Sequence, residues 1–145
     1  MLGSTIATLF KDKFDVHGLT REILPIEDYK VVNIKLNEIN PDIIIHCAAY
    51  TNVELAESNQ SDCYRTNYLG TLNIANFSRK NASKLIYISS TGCYGSHAAI
   101  PYSEYDPVLP TTVYHKSKVA GENAVSNICS DYLVLRTGWL FGGDI

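Results

Sequence analysis

The sequence predicts a parallel α/β fold, and three observations carry this prediction. Strand-like apolar runs alternate with helical patterns along the 145 residues, as in sheets whose strands are joined by crossover helices. Residues 42–47 (Asp-Ile-Ile-Ile-His-Cys) form a nearly continuous apolar run, which is typical of a buried strand in a parallel sheet. No repeat, low-complexity tract or linker interrupts the pattern, so we expect one domain over residues 1–145.

Each element follows from its local pattern, beginning with an opening helix that has one apolar face. The next helix ends at Asn40-Pro41, because a proline disfavours helical conformation in the residue before it. Residues 91–111 contain three prolines and form a polar loop too long to be a simple connector. The apolar face of the opening helix consists of Leu2, Ile6, Leu9 and Phe10. Strands are predicted at residues 14–19, 42–47, 84–89 and 132–136, and the later helices at 29–39, 62–81 and 112–129.

Three polar residues form a candidate catalytic set. Ser90 closes the strand predicted at 84–89, while Tyr114 and Lys118 lie four residues apart at the head of the last helix and so share one face. An ammonium beside the phenol is expected to lower the pKa of Tyr114. With a serine hydroxyl holding a carbonyl oxygen, the set is a general acid/base for chemistry at a carbon that bears oxygen.

A Tyr-x-x-x-Lys motif is weak evidence by itself, since a solvated pair on a helix face is its commoner meaning. The spacing of 24 residues from Ser90 to Tyr114, and the ordered motifs around both, favour the catalytic interpretation. His115 points about 100° away from Tyr114 on a helix, so it receives no catalytic role.

Composition argues against several classes of protein. The net charge of −3 disfavours nucleic acid as a partner, because phosphate binding needs a basic surface. No apolar run reaches the roughly 18 residues that span a bilayer, and no signal peptide is recognisable. The four cysteines lack metal-ligand spacing, and His46 and His115 do not complete a zinc site. We therefore expect a cytoplasmic protein with free thiols, no metal, and no membrane or nucleic-acid partner.

Five motifs occur in an order that is familiar from one family. They are residues 41–51 (Pro-Asp-Ile-Ile-Ile-His-Cys-Ala-Ala-Tyr-Thr), 53–58 (Val-Glu-Leu-Ala-Glu-Ser), 67–71 (Asn-Tyr-Leu-Gly-Thr), 89–95 (Ser-Ser-Thr-Gly-Cys-Tyr-Gly) and 136–142 (Arg-Thr-Gly-Trp-Leu-Phe-Gly). From about Gly3 to Gly143 the chain resembles the extended short-chain dehydrogenase/reductases, and within them the dTDP-4-dehydrorhamnose reductase group. The resemblance implies a Rossmann-like doubly wound parallel sheet that forms an NAD(P)-binding domain.

The same resemblance implies a role for each member of the catalytic set. Tyr114 would exchange the proton, Lys118 would lower its pKa and bind the nicotinamide ribose, and Ser90 would hold the substrate oxygen. Ser90 is chosen over Ser89 and Thr91 by its offset from Tyr94-Gly95. NADPH would give hydride to the C4 ketone of a nucleotide-linked deoxysugar, in the synthesis of surface polysaccharide. The family also implies a homodimer formed through helices.

Cofactor contacts are expected at three places. Gly3 occupies the position of the third glycine of a dinucleotide fingerprint. (Asn67 is no cofactor contact, but it matches an asparagine of the family that buttresses the active site.) At the end of the second strand the chain has Thr20 and Arg21 where NAD enzymes carry an acidic residue, and a guanidinium suits the 2′-phosphate of NADP. The expected cofactor is therefore NADP(H) rather than NAD(H). The turn after the strand at 42–47 supplies the remaining contacts, at Cys47, Ala48, Ala49 and Tyr50.

Two alternatives remain open. Thr91-Gly92-Cys93 departs from the reductase pattern toward that of the nucleotide-sugar 4-epimerases and dehydratases, which use the same Ser, Tyr and Lys with tightly bound NAD. A non-catalytic relative that senses NADP is the second alternative. It is disfavoured because a binding module has no need of the proton donor.

The chain opens directly on a helix and stops at Gly143-Asp144-Ile145. We expect it to be an internal piece of a longer protein, truncated at both ends, which lacks the first strand and the C-terminal substrate region of the fold. Because the first strand is central, we expect the isolated chain to fold poorly or to bind cofactor weakly.

Overall fold

A computed structural model describes residues 1–97 and 99–142 of the chain; Gly143, where the family resemblance ends, lies outside these residues. Strands and helices alternate along most of the described chain. The elements are α1 (Leu2–Phe10), α2 (Tyr29–Ile39), β1 (Ile43–His46), α3 (Val53–Ser58), α4 (Gln60–Tyr64), a π-helical turn (Arg65–Gly70), α5 (Thr71–Asn81), β2 (Lys84–Ser90), a 3₁₀ turn (Thr91–Tyr94), α6 (Val113–Ile128) and β3 (Tyr132–Thr137).

The three strands form one parallel sheet in the order β1-β2-β3. In register, Ile45 pairs with Ile86, and Ser90 pairs with Thr137 at the carboxyl edge. Parallel neighbours need crossovers, and the segments with α5 and with α6 supply them. The predicted parallel α/β class is therefore confirmed.

One face of the sheet carries the core. Leu85 and Tyr87 of β2 are fully buried on this face, against Ile74 and Phe77 of α5 and Val125 of α6. Helix α2 adds its buried residues to the same cluster. Its ends are well defined, since the Asp28 carboxylate accepts hydrogen bonds from the first turn and Asn40 ends it in the left-handed conformation, as the Asn40-Pro41 pattern predicted.

The opposite face of the sheet is open in the described chain. Four of its side chains stay 39–53% exposed: Ile43, Ile45, Leu133 and Leu135. We expected a strand buried on both faces at residues 42–47, but β1 alternates between exposed and buried positions. The prediction of a strand at this apolar run is thus confirmed. The prediction that both of its faces are buried is wrong, because no described helix packs over the open face.

The predicted strand at residues 14–19 is wrong. This segment is irregular, and the described sheet contains only β1, β2 and β3. A strand is completed by hydrogen bonds to a neighbour, which local composition cannot provide. The segment instead runs beside α1, where a Cβ on Gly18 would contact the Ala7 methyl at 3.6 Å.

The helix predicted at residues 62–81 is continuous but not uniform. Its middle, Arg65–Gly70, is π-helical, a rare conformation that often occurs at functional sites. Gly70 ends this turn, and a Cβ there would lie 2.6 Å from Cδ1 of Ile26, so the core side chain packs directly on the glycine. The π-helical turn carries Asn67 into the candidate site described next.

Candidate active site

Ser90 is the last residue of β2 and lies at the carboxyl edge of the sheet. Its Oγ accepts a hydrogen bond of 3.3 Å from the Gly92 amide, which begins the 3₁₀ turn after the strand. Ser90 is half-buried, so it is both held and accessible.

Tyr114 and Lys118 face the same region from helix α6. The Thr112 side chain caps the helix by accepting a bond from the His115 amide at 3.2 Å, which places Tyr114 in the first turn. Lys118 follows one turn later and is only 2% exposed. Its Nζ lies 4.1 Å above the centroid of the Tyr87 ring, a cation–π contact that offsets part of the cost of burial.

Burial shifts the pKa of the lysine strongly. Desolvation lowers the pKa of Lys118 to about 8, against smaller upward effects of nearby Cys93, Glu122, Cys47 and Cys63. The ammonium is therefore mostly protonated at pH 7 but within reach of deprotonation.

The expected effect of Lys118 on Tyr114 is not what the structure shows. Burial raises the pKa of Tyr114, with smaller upward effects of Cys93 and Cys63, and Lys118 is not among the causes of the shift. The prediction of a lowered Tyr114 pKa is therefore wrong for the protein by itself. Desolvation of the phenol dominates its pKa, and the Nζ of Lys118 lies over the Tyr87 ring. A phenol that keeps its proton at neutral pH is suited to be a proton donor.

Asn67 joins the turn after β1 to helix α6. Its side-chain oxygen accepts from the Tyr50 amide at 2.8 Å, and its Nδ2 donates to the Tyr50 carbonyl at 3.1 Å and to Ser117 Oγ at 2.9 Å. Ser117 in turn donates to the Tyr114 carbonyl at 2.6 Å. Asn67, the residue predicted to buttress the site, therefore hydrogen-bonds the turn after β1 directly. It reaches the backbone of Tyr114 on α6 through Ser117, a residue that the sequence did not single out.

Two histidines also contact the site. His46, at the end of β1, is buried with Nε2 3.0 Å from Thr71 Oγ1, and burial followed by the charge of Lys118 lowers its pKa to about 3. It is therefore neutral across the physiological range. His115 packs its ring on Gly92, and its ring centroid lies 4.9 Å from that of Tyr114. No role is predicted for His115 from the sequence, because helical spacing alone does not show that the turn after β2 packs on its ring.

The predicted cofactor residues after β1 lie beside the opening helix. A Cβ on Gly3 of α1 would contact the Cys47 Cβ at 3.5 Å, so the helix start and the strand end are adjacent. Ala48 is exposed, and Ala49 and Tyr50 are partly so. Burial raises the pKa of the Cys47 thiol, which indicates no activated nucleophile.

Thr20 and Arg21 lie in an exposed turn instead. The Arg21 guanidinium is 3.3 Å from the Glu27 carboxylate, and its side chain is 73% exposed. The structure therefore joins Arg21 to an acidic partner rather than to the turn after β1. Within residues 1–97 and 99–142, no three His, Cys, Asp or Glu side chains are grouped so that they could hold a metal ion. Nor does the described part of the chain contain a helix of the length and apolarity that a membrane crossing requires.

A serine at the end of a parallel strand, followed by a tyrosine and a lysine one turn apart on the next helix, is typical of the extended short-chain dehydrogenase/reductases. Residues 1–144 match the family model described as the RmlD substrate binding domain, and the chain belongs to this family.

Solved structures agree with this assignment. The chain is similar to the dTDP-4-dehydrorhamnose reductase of Bacillus anthracis in complex with NADP, at 34% identity and a TM-score of 0.94 over 99% of this chain and 52% of that one. It is also similar to the enzyme WbmG of Bordetella bronchiseptica in complex with NAD and UDP, at 26% identity and a TM-score of 0.70 over 77% and 35%.

Among curated relatives, the dTDP-4-dehydrorhamnose reductase of Aggregatibacter actinomycetemcomitans is 31% identical over 97% of this chain and 49% of its own length. The spore coat polysaccharide biosynthesis protein SpsK of Bacillus subtilis is 30% identical over 89% and 46%. The chain thus spans about half the length of the curated relatives it matches.

Proposed function

We propose that this chain is part of an NADP(H)-dependent reductase that acts on a nucleotide-activated 4-keto-deoxysugar, in the synthesis of a surface polysaccharide. The observation that supports the proposal is the packing of the start of α6 on the turn after Ser90, where the His115 ring lies against Gly92 and next to the Tyr114 ring. Buried Lys118 lies one turn further along α6, over Tyr87 of β2. The likeness to reductases named for dTDP-4-dehydrorhamnose supports the substrate class. The protein named for spore coat polysaccharide supports the context.

The turn after β1 fits a dinucleotide. Its small residues, Ala48 and Ala49, leave the backbone accessible, and Gly3 adds no side chain where α1 begins. We propose that residues 1–145 are part of a cofactor-binding domain in which Gly3, Cys47, Ala48, Ala49 and Tyr50 line the dinucleotide. The cofactor would supply the hydride, while the protein orients and protonates.

Ser90, Tyr114 and Lys118 would then each have a separate role in the reduction. Ser90 Oγ would donate a hydrogen bond to the ketone oxygen, and Tyr114 would give its proton to that oxygen as negative charge develops. Lys118 would bind the ribose, and its charge would stabilise the Tyr114 phenolate once its Nζ moves from the Tyr87 ring toward the phenol. Tyr114 would be reprotonated from solvent, since it is only half-buried.

A paired titration with NADPH and NADH, followed by cofactor fluorescence, tests the proposal. We expect tighter binding of NADPH, and Arg21→Ala should lose roughly tenfold of that preference if its guanidinium leaves Glu27 for the 2′-phosphate. Lys13→Ala, another exposed cation, is the control. A chain that is folded by circular dichroism yet binds neither cofactor would refute the proposal.

A nucleotide-sugar 4-epimerase or dehydratase is the second candidate. The complex of WbmG with NAD and UDP, and the sequence Thr91-Gly92-Cys93, favour it. Stoichiometric NAD⁺ released from the purified protein would support this candidate over the reductase. The predicted homodimer and cytoplasmic location stay predictions, which sedimentation and cell fractionation would test.

A further inference from the structure

We propose that Glu122 and Arg136 are positioning residues that clamp the serine-bearing turn of the candidate active site onto helix α6. The inference deepens the proposed function and rests on it. Glu122 lies one turn beyond Lys118 on α6 and is 7% exposed. Neither residue touches the reacting atoms assigned above, so any effect on the reaction passes through their neighbours.

The ion pair has a fixed geometry. Arg136 Nε lies 3.0 and 3.2 Å from the two Glu122 oxygens, and its NH2 lies 2.6 Å from Oε2. Such a forked contact sets the orientation of both groups, which a single contact does not. Desolvation offsets most of the attraction between the two charges of a buried pair, so the pair adds little to the stability of the fold. Its presence is better explained by the orientation that it imposes on its neighbours.

The pair contacts both ends of residues 89–94, which comprise the last two residues of β2 and the 3₁₀ turn after it. At the start, Ser89 Oγ donates to Glu122 Oε1 at 2.5 Å, directly before Ser90. At the end, the Arg136 guanidinium lies 4.7 Å from the centroid of the Tyr94 ring. Ser90 lies between these two anchors, so the clamp fixes the segment that carries it.

Glu122 also acts on the lysine. Four charged or ionisable groups raise the pKa of Lys118, and Glu122 is the one carboxylate among them. The other three are the thiols of Cys47, Cys63 and Cys93. Its negative charge supports the ammonium, and neutral His46 adds no opposing charge. One carboxylate thus holds the serine turn and favours the charged lysine.

Two measurements on the 145-residue chain test the clamp. Hydrogen–deuterium exchange of residues 89–94 should become about tenfold faster in Glu122→Gln, while exchange in α5 stays unchanged. In the same variant, the ¹³C-detected titration of Lys118 should move to lower pH. Arg136→Lys keeps the charge but loses the fork and the ring contact, so it should loosen the turn with little effect on the lysine.

The matched control is Asp131→Asn. Asp131 pairs with Lys84 at 2.9 Å and joins the same two strands at their opposite ends. This control should change neither readout.

Equal acceleration in residues 89–94 and α5, or an unchanged Lys118 titration in Glu122→Gln, would overturn the clamp. If Lys118 titrates as an ordinary lysine in the unsubstituted chain, the candidate active site is not assembled and the proposed function fails first. If Glu122→Gln does not fold, the exchange pattern of Arg136→Lys decides.

Discussion

Both faces of the sheet carry large apolar side chains, but the two faces differ in how far helices cover them. On the covered face, Leu85 and Tyr87 are fully buried under α5 and α6, whereas Leu133 and Leu135 on the open face are 45% and 39% exposed. The chain exposes 9295 Å² in total, while a compact monomer of this length would expose about 7,400 Å². Apolar sequence therefore marks both faces, but only the helices decide which one becomes a core.

The covered face also holds two titratable groups with strongly shifted pKa values. The lysine of the candidate site lies over Tyr87, and His46 is buried at the end of β1 on the same side. A pKa shift that is caused by desolvation requires removal of water, which the open face does not provide. The following predictions test this difference, from the largest expected effect to the smallest.

The sharpest comparison uses one substitution on each face. Leu85→Ala should lower the free energy of unfolding by about 2–5 kcal/mol, because it leaves a cavity beneath the helices. Leu135→Ala should cost less than about 1 kcal/mol, since this side chain is already in contact with water. Urea unfolding followed by circular dichroism measures both, and equal losses would show that something covers the open face.

Acid should destabilise the covered face through His46. Its folded pKa of about 3 lies below its usual 6.5, so the unfolded chain binds the extra proton between these values. Stability from this group is full above pH 6.5 and falls with pH, by about 2–3 kcal/mol at pH 4.5. Unfolding of His46→Gln at pH 7 and 4.5 should show a smaller acid loss than the parent chain. A loss of the same size in both would remove His46 as the cause.

Gly121 tests the packing between α6 and β2. A Cβ there would lie 2.7 Å from the Asn67 carbonyl oxygen and would also collide with the Tyr87 hydroxyl. Gly121→Ala should destabilise by about 1–3 kcal/mol, although alanine normally stabilises a helix. Gly138→Ala is the control, because its Cβ would meet only Thr91 Oγ1, at 3.9 Å. A stabilised Gly121→Ala variant would mean that the helix lies farther from the strand.

The smallest effect is expected from a charge on the open face. Leu133→Lys should change the melting temperature by only a few degrees, since an exposed substitution costs about 0.5 kcal/mol or less. Light scattering should fall at the same time if the apolar row promotes self-association. A large drop in melting temperature would identify this face as buried in solution.

Local signals in the sequence predicted many of the elements well. Asn40-Pro41 ended α2, the apolar run at 84–89 placed β2, and the Tyr-x-x-x-Lys motif placed its two residues on one helix. These succeed because capping, periodicity and helical spacing act over a few residues. The strand at 14–19 failed because a ladder partner is a distant property.

The site divides in the same way. Sequence alone determined the parallel α/β class and the family resemblance, and it predicted the candidate set of Ser90, Tyr114 and Lys118. Tertiary structure decided that burial sets the pKa of Tyr114 and Lys118, that Arg21 pairs with Glu27, and that Glu122 and Arg136 meet beside Ser89. Local patterns depend on neighbours along the chain, whereas desolvation and ion pairing depend on residues that only the folded chain brings together.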